Sequence, residues 1–169
     1  LGIGVVLVHG GAPQLDAAAS RAGIESQSIA GRRVTTPELL RLAVIEWRGV
    51  LSTALVGALR AAGERAVGVC GADGDLLLAK RRPPALVTGD DGVRRAVDYG
   101  LVGDITSVNA IARRSVLALP AIPVLTPLAA GEGEEILNVN ADTVAAEVAI
   151  ALSAAKLVVL TRSPGILTD

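Results

Sequence analysis

Apolar residues fall along this chain in two rhythms. Short unbroken runs recur at Val5-Val6-Leu7-Val8, Ala66-Val67-Gly68-Val69-Cys70, Leu76-Leu77-Leu78-Ala79, Ile122-Pro123-Val124-Leu125 and Lys156-Leu157-Val158-Val159-Leu160-Thr161. Continuous β-branched and leucine runs of this length, bounded by turn residues, read as strands buried on both faces. Between them the apolar positions space out to the helical period. Pro13 opens a first helix with Leu15, Ala18 and Ala19 on one face and Gly23 as its stop. Thr36 caps a second, with Pro37 at its first position, running to about Ala62. Its stripe is Leu39, Leu42, Val44, Ile45, Leu51, Leu55, Val56 and Leu59. Gly49 and Gly57 interrupt that stripe at about 1 kcal/mol each relative to alanine, a cost that close packing against a helix or backbone would explain.

The remainder follows the same logic. Gly31 to Thr36 is polar and extended, and Lys80 to Val97 is a polar surface excursion with two prolines. Gly100 to Ile105 is a short extended stretch before a helix from about Val108 to Leu119. Gly131 and Gly133 mark a hairpin turn into Glu135-Ile136-Leu137, and Asn140 starts an alanine-rich helix. Strands of the buried kind alternate with helices. The expected fold is therefore a single α/β domain over residues 1–169, a three-layer α/β/α sandwich around a mostly parallel sheet.

Composition narrows the function. With 51% hydrophobic but 1% aromatic residues, the core must be built from Ala, Val and Leu. A formal net charge of −1 gives no electrostatic footprint for nucleic acid. No unbroken apolar run reaches the roughly 18–20 residues of a membrane span, and no basic-then-apolar leader is visible. Cys70 is the single cysteine, so no internal disulfide forms and a reduced, cytoplasmic setting is expected. The chain has no methionine and opens at Leu1, which reads as a segment of a longer chain.

In open α/β sheets ligands bind beyond the carboxyl ends of the strands. Four elements follow strand ends: His9-Gly10-Gly11, Gly71-Ala72-Asp73-Gly74, Asn138 to Asp142, and Thr161 to Gly165. His9-Gly10-Gly11 offers unobstructed backbone N–H groups beside a helix start, which suits a phosphoryl group or equally a tight turn. His9 is a structural strand-end residue or a general base. Arg33 stands before a helix cap, as a solvated arginine or a bidentate carboxylate clamp. Asn140 suits an N-cap and Asp142 the first turn of its helix. Capping leaves Asn138 unexplained, whereas a ligand amide or carboxylate would explain it. There is neither a GxxxxGK[ST] loop nor a GxGxxG turn, and a dinucleotide-binding oxidoreductase is set aside on that ground.

At these residues the sequence resembles the acetylglutamate kinases of the amino acid kinase family. The matching pieces occur in the family's order: Val8-His9-Gly10-Gly11-Ala12-Pro13, Gly31-Arg32-Arg33-Val34-Thr35, Gly68 to Gly74, Gly100-Leu101-Val102-Gly103 with Val108-Asn109, Ile122-Pro123-Val124, Leu137-Asn138-Val139-Asn140-Ala141-Asp142, and Leu160-Thr161 with Pro164-Gly165. The resemblance implies transfer of the γ-phosphoryl group of ATP, with Mg2+, to the side-chain carboxylate of N-acetyl-L-glutamate in arginine biosynthesis, by a cytoplasmic homodimer or larger homo-oligomer. It implies that Gly10 and Gly11 hold the reacting oxygens, that Arg33 and Asn138 bind the amino-acid substrate, and that Asp142 organises two catalytic lysines. Thr161, Arg162 and Gly165 fall on the nucleotide side, so residues 1–169 hold mainly the amino-acid lobe, with the nucleotide lobe starting near 156–169. No resident metal ligand set is implied.

This sequence departs from the family pattern in places. Ala12 stands for a third glycine, Leu51-Ser52-Thr53 for Val-Asn-Lys and Arg162 for an aspartate, and neither Lys80 nor Lys156 matches a catalytic lysine. The segment by itself is expected not to phosphorylate acetylglutamate. Two other readings remain: a carrier-linked aminoadipate or glutamate kinase of lysine biosynthesis, and a catalytically impaired, acetylglutamate-binding regulatory homologue. The Gly-punctuated helix with Trp47 is the expected contact surface between copies.

Overall fold

The structure, a computed structural model, describes residues 4–88, 92–109, 118 and 120–161. Strand β1 (Leu7–Val8) leads into helix α1 (Ala12–Ala22), then the hairpin β2 (Ser28–Ile29) and β3 (Arg32–Arg33), then the 25-residue helix α2 (Pro37–Ala61). Strands β4 (Ala66–Cys70), β5 (Leu77–Arg81), β6 (Ala85–Thr88), β7 (Arg94–Val97), β8 (Gly103–Val108), β9 (Ile122–Thr126), β10 (Leu128–Ala130) and β11 (Ile136–Asn138) follow, and helix α3 (Ala141–Ala151) comes last.

The α/β class expected from the alternation is the class observed. Its parallel part is a three-stranded sheet in the order β1-β9-β4, with β9 central and Val124 paired both to Leu7 and to Gly68. A second sheet, ordered β11-β10-β5-β8, is mixed, and β10 and β11 form the hairpin foreseen at Gly131 and Gly133. The polar excursion from Lys80 to Val97 supplies the end of β5 and the separate hairpin β6–β7.

Strand alternation sorts the core to two sides. Val69 packs with Leu125, Leu137, Val144 and Val148, the last two from α3. Its neighbour Cys70 packs with Leu15, Leu39, Ala43 and Trp47 from α1 and α2. Leu128 and Ala129 divide the same way. Burial pushes the Cys70 thiol pKa up, which keeps it a small apolar group.

The helix boundaries came from local chemistry. Gly23 takes the left-handed conformation at φ 66° that closes α1, and Leu15, Ala18 and Ala19 are its buried residues. Thr36 Oγ1 accepts from the Leu39 amide at 3.2 Å, with Pro37 at the first turn. Asn140 Oδ1 accepts from the Thr143 amide at 2.9 Å and starts α3.

Five expectations are corrected. Helix α2 is not uniformly α: Val44–Leu51 is a π-helical segment, in which the Ser52 amide reaches back five residues to the Trp47 carbonyl. Burial therefore runs through Leu39, Leu40, Ala43, Trp47 and then Ser52, and Ile45 is exposed. A Cβ at Gly49 or Gly57 would meet nothing within 4 Å, so close packing inside this chain does not explain either glycine. Trp47, expected on a contact surface, is buried. Residues 156–161 form no strand, and Leu157 to Leu160 are exposed, because an apolar run becomes a buried strand only where a layer covers it. Val108 ends β8 rather than opening a helix, and the rest of that expected helix lies largely outside the described residues.

By length and mean hydropathy alone Pro37–Ala61 also qualifies as a membrane span, although charged residues break its apolar run. In the fold its N-terminal half packs on α1 through Leu39, Leu40, Ala43 and Trp47.

Candidate functional site

An open cleft of about 1650 Å³ lies at the carboxyl ends of β1, β9 and β11. Its lining includes Gly10, Gly11, Arg33, Asn138, Asn140 and Asp142. Two of the four strand-end elements singled out in the sequence, His9-Gly10-Gly11 and Asn138 to Asp142, thus contribute to one place, and Arg33 joins them. Residues Lys156 to Leu160 line the cleft too, just before Thr161. Arg162 and Gly165 lie outside the described residues. The Gly71 to Gly74 turn serves the fold instead. A Cβ at Gly71 would sit 2.4 Å from the Leu128 carbonyl oxygen, and Asp73 Oδ2 accepts from the Cys70 amide at 2.9 Å and from Arg48 at 2.8 Å.

Two helix N-termini converge on the glycine turn. Gly11 is the N-cap of α1, and Gly10 faces Ala141, the first residue of α3, at 3.8 Å from an added Cβ. Each N-terminus carries partial positive charge and unpaired amides. The turn is held from behind by two ring donors. His9 Nδ1 lies 2.9 Å from the Gly10 carbonyl oxygen, which can only accept, so that nitrogen carries the proton. Nε2 then accepts from the Thr126 hydroxyl at 3.1 Å. Burial pushes the His9 pKa below its ordinary 6.5, which favours this neutral tautomer. Trp47 Nε1 donates to the Gly11 carbonyl at 2.9 Å, and the Leu15 amide donates to the same oxygen at 3.0 Å.

A trans peptide unit points its N–H opposite to its C=O. Fixing the Gly10 and Gly11 carbonyls therefore fixes the Gly11 and Ala12 amides on the other side. Those two amides make no hydrogen bond among the described residues. The turn thus presents two amides fixed in direction, an arrangement of the kind that suits an anion, and His9 is held by hydrogen bonds on both ring nitrogens.

Arg33 sits at the cleft, but its guanidinium is already engaged. It forks onto the Asp16 carboxylate, with Nη2 to Oδ2 at 3.0 Å, and Nη1 also meets Asp16 Oδ1 and Ser26 Oγ. The Arg33 hydrogen bond is the main reason the Asp16 carboxyl pKa is lowered. Asn138 Nδ2 donates to the buried Thr35 hydroxyl at 3.0 Å, which leaves its Oδ1 without a partner among the described residues. Asp142 stands exposed in the first turn of α3.

Gly10, Gly11, Arg33, Asn138 and Asp142, expected from the sequence, all line the cleft, whereas their hydrogen-bond partners Asp16, Thr35 and Trp47, and the His9 partner Thr126, were not foreseen. Asp16 and Arg33 are 17 residues apart and Asn138 and Thr35 are 103 apart, beyond any local spacing rule.

A profile described as the amino acid kinase family matches residues 1–169. The chain belongs to the amino acid kinase family. Among curated relatives, acetylglutamate kinase of Trichlorobacter lovleyi is 42% identical over 167 residues, covering 99% of this chain and 57% of the relative. The acetylglutamate kinase of Myxococcus xanthus is 43% identical, covering 97% of this chain and 54% of the relative. The chain thus spans little more than half the length of these relatives. Among solved structures, N-acetylglutamate synthase of Neisseria gonorrhoeae complexed with coenzyme A and N-acetyl-glutamate is 31% identical at a TM-score of 0.73, covering 98% of this chain and 35% of that one. A Streptococcus mutans protein reaches a TM-score of 0.78 at 28% identity, covering 97% of this chain and 62% of that one.

Proposed function

We propose that this chain carries the amino-acid site, and the start of the nucleotide site near 156–169, of a kinase that transfers the γ-phosphoryl group of ATP to the side-chain carboxylate of N-acetyl-L-glutamate, in arginine biosynthesis. The observation that carries the reading is the braced Gly10–Gly11 turn between two helix N-termini. Phosphoryl transfer needs positioning and stabilised charge and requires no covalent nucleophile. In the proposed mechanism the Gly11 and Ala12 amides receive oxygens of the reacting carboxylate and phosphoryl group. The Asn138 amide and the Arg33 guanidinium hold the rest of the amino-acid substrate. Asp142 orients cationic side chains, and Thr161, Arg162 and Gly165 border the nucleotide.

The donor set fits a Mg2+ ion carried in by ATP. Among the described residues no three His, Cys, Asp or Glu side chains converge, and Asp142 is the carboxylate of the cleft. Such an ion supplies charge neutralisation on the nucleotide phosphates. The exposed side of α2, with Ile45, Gly49 and Val50, supports a homodimer or larger homo-oligomer.

The test is ATP consumption by the purified full-length chain with N-acetyl-L-glutamate, free glutamate and a carrier-linked glutamate. Turnover confined to N-acetyl-L-glutamate is expected; turnover with the carrier-linked substrate alone would overturn the reading. The 31% likeness to N-acetylglutamate synthase supports a second one, an acetylglutamate-binding unit without kinase activity. Calorimetric binding of N-acetyl-L-glutamate with no ATP consumption would establish it.

A further inference from the structure

We infer that Trp47 is a positioning residue for phosphoryl transfer: its indole N–H fixes the Gly11–Ala12 peptide so that the Ala12 amide faces the reacting oxygens. The inference rests on the proposed kinase reading and adds to it a residue that neither the glycine turn nor the substrate ligands would identify.

Three observations support it. Trp47 Nε1 donates to the Gly11 carbonyl at 2.9 Å. A Cβ built on Gly11 would lie 2.5 Å from both Cδ1 and Nε1 of the indole and 3.2 Å from Leu51 Cδ2, so the turn and the ring are fitted to each other without slack. The indole is 5% exposed, yet it borders the cleft beside Gly10, Gly11 and Ala12.

A further observation concerns the helix beneath. Trp47 lies in the π-helical Val44–Leu51 segment, where the wider turn changes the angular spacing of the side chains that follow. Trp47 and Leu51 both reach Gly11 from this segment, while Ser52 packs under Gly68 of β4 with its Oγ 2.7 Å from an added Cβ. One unusual turn of helix thus serves the glycine turn and the sheet together. A buried indole N–H needs an acceptor in any case; what sets Trp47 apart is that its acceptor is the Gly11 carbonyl of the turn and that only a glycine fits opposite the ring.

The indole does not touch the reacting atoms. It acts through the peptide unit: with its C=O engaged by Trp47 and Leu15, the unit cannot rotate without breaking two hydrogen bonds, and the polarised amide is a better donor on its far side. Such a residue should affect kcat more than substrate affinity, because the developing charge gains most from a fixed donor.

The full-length chain is tested with Trp47→Phe and with benzothienylalanine placed at position 47, which keeps the bicyclic shape and replaces the N–H by sulfur. Both should lower kcat about ten- to a hundredfold, with KM for each substrate changed less than about threefold, and benzothienylalanine should leave the thermal midpoint close to wild type. A lowered midpoint with wild-type kcat in the folded enzyme would reduce Trp47 to a packing residue and overturn the inference.

If the wild-type chain turns over no carboxylate substrate, the kinase reading fails first, and a second arm decides the inference. With any other tryptophan in the full chain changed to phenylalanine, Trp47 emission is followed during titration with inorganic phosphate. A saturable shift, lost with Gly11→Ala, supports the coupling of indole and glycine turn; no shift at any phosphate concentration overturns it.

Discussion

Asn138 and Thr35 meet across 103 residues of chain, with the asparagine Nδ2 donating to the threonine hydroxyl at 3.0 Å. The bond ties the end of β11 to the segment that caps α2, so the carboxyl end of one strand is registered against the residues that directly follow Arg33 of β3. Thr35 is fully buried, and its amide and carbonyl are also engaged, with Tyr99 and Leu101. The side chain that capping could not explain therefore has a structural partner on one atom and, among the described residues, an unengaged acceptor on the other.

Asn138→Ala is expected to do two separable things. Losing the bond to a buried hydroxyl should cost about 1–2 kcal/mol in urea denaturation. Losing the free carbonyl should weaken N-acetyl-L-glutamate binding at least about tenfold in calorimetry on the folded protein. Wild-type affinity in the folded variant would remove Asn138 from the substrate site.

The Asp16–Arg33 pair makes a pH-dependent contribution of known sign. The Arg33 hydrogen bond holds the Asp16 carboxyl below its ordinary 3.8, so the folded state binds this proton less readily than the unfolded chain. The contribution is complete above the unfolded value and disappears as pH falls through the lower folded value. Asp16 is largely exposed, so the effect should stay within about 1 kcal/mol. Thermal midpoints of wild type and Asp16→Asn should differ near neutrality and converge at the acid end. A difference that persists unchanged there would show that the pair is not its source.

His9 acts in a different window. Burial depresses its pKa below 6.5, so on acidification the unfolded chain takes up a proton before the folded protein does. Stability should therefore fall as pH drops from about 7.5 through the ordinary histidine range, until the folded pKa is reached. His9→Gln should flatten that part of the profile, measured as urea midpoints at each pH. An unchanged slope would place the titrating group elsewhere.

Two glycines should respond in opposite directions. Gly11→Ala forces a methyl group against the Trp47 ring, and a loss of about 1–3 kcal/mol is expected, together with loss of turnover in the full-length chain. Gly57→Ala adds a methyl group into open space on an exposed helical turn and should stabilise by roughly 0.5–1 kcal/mol. Denaturation curves check both. If Gly57→Ala instead dissociates an oligomer in equilibrium sedimentation, the open space is occupied by another copy.

What the sequence determined by itself was local. The Thr36-Pro37 and Asn140 caps, the Gly23 stop and the β10–β11 turn at Gly131 and Gly133 came from residues within a few positions of one another. The strand runs at β1, β4 and β9 were legible because strands buried on both faces lose the alternation that marks a half-solvated sheet. The meeting of Gly10 with Asn138 and Asp142 followed from the rule that open α/β sheets bind ligands at strand ends, while Arg33 was singled out by its place before a helix cap.

The tertiary structure decided the rest. The apolar 156–160 run had the composition of a buried strand, yet nothing within it could specify the layer needed to bury it. The stripe along α2 assumed one constant period, and a π-helical segment changed which residues faced inward, turning Trp47 from an expected contact surface to the back of the glycine turn. Asp16 with Arg33, and Thr35 with Asn138, are long-range pairs whose distances are set by how β3, α1 and β11 pack. Local chemistry chose the elements; the register between them chose which polar groups have partners and which remain available to a ligand.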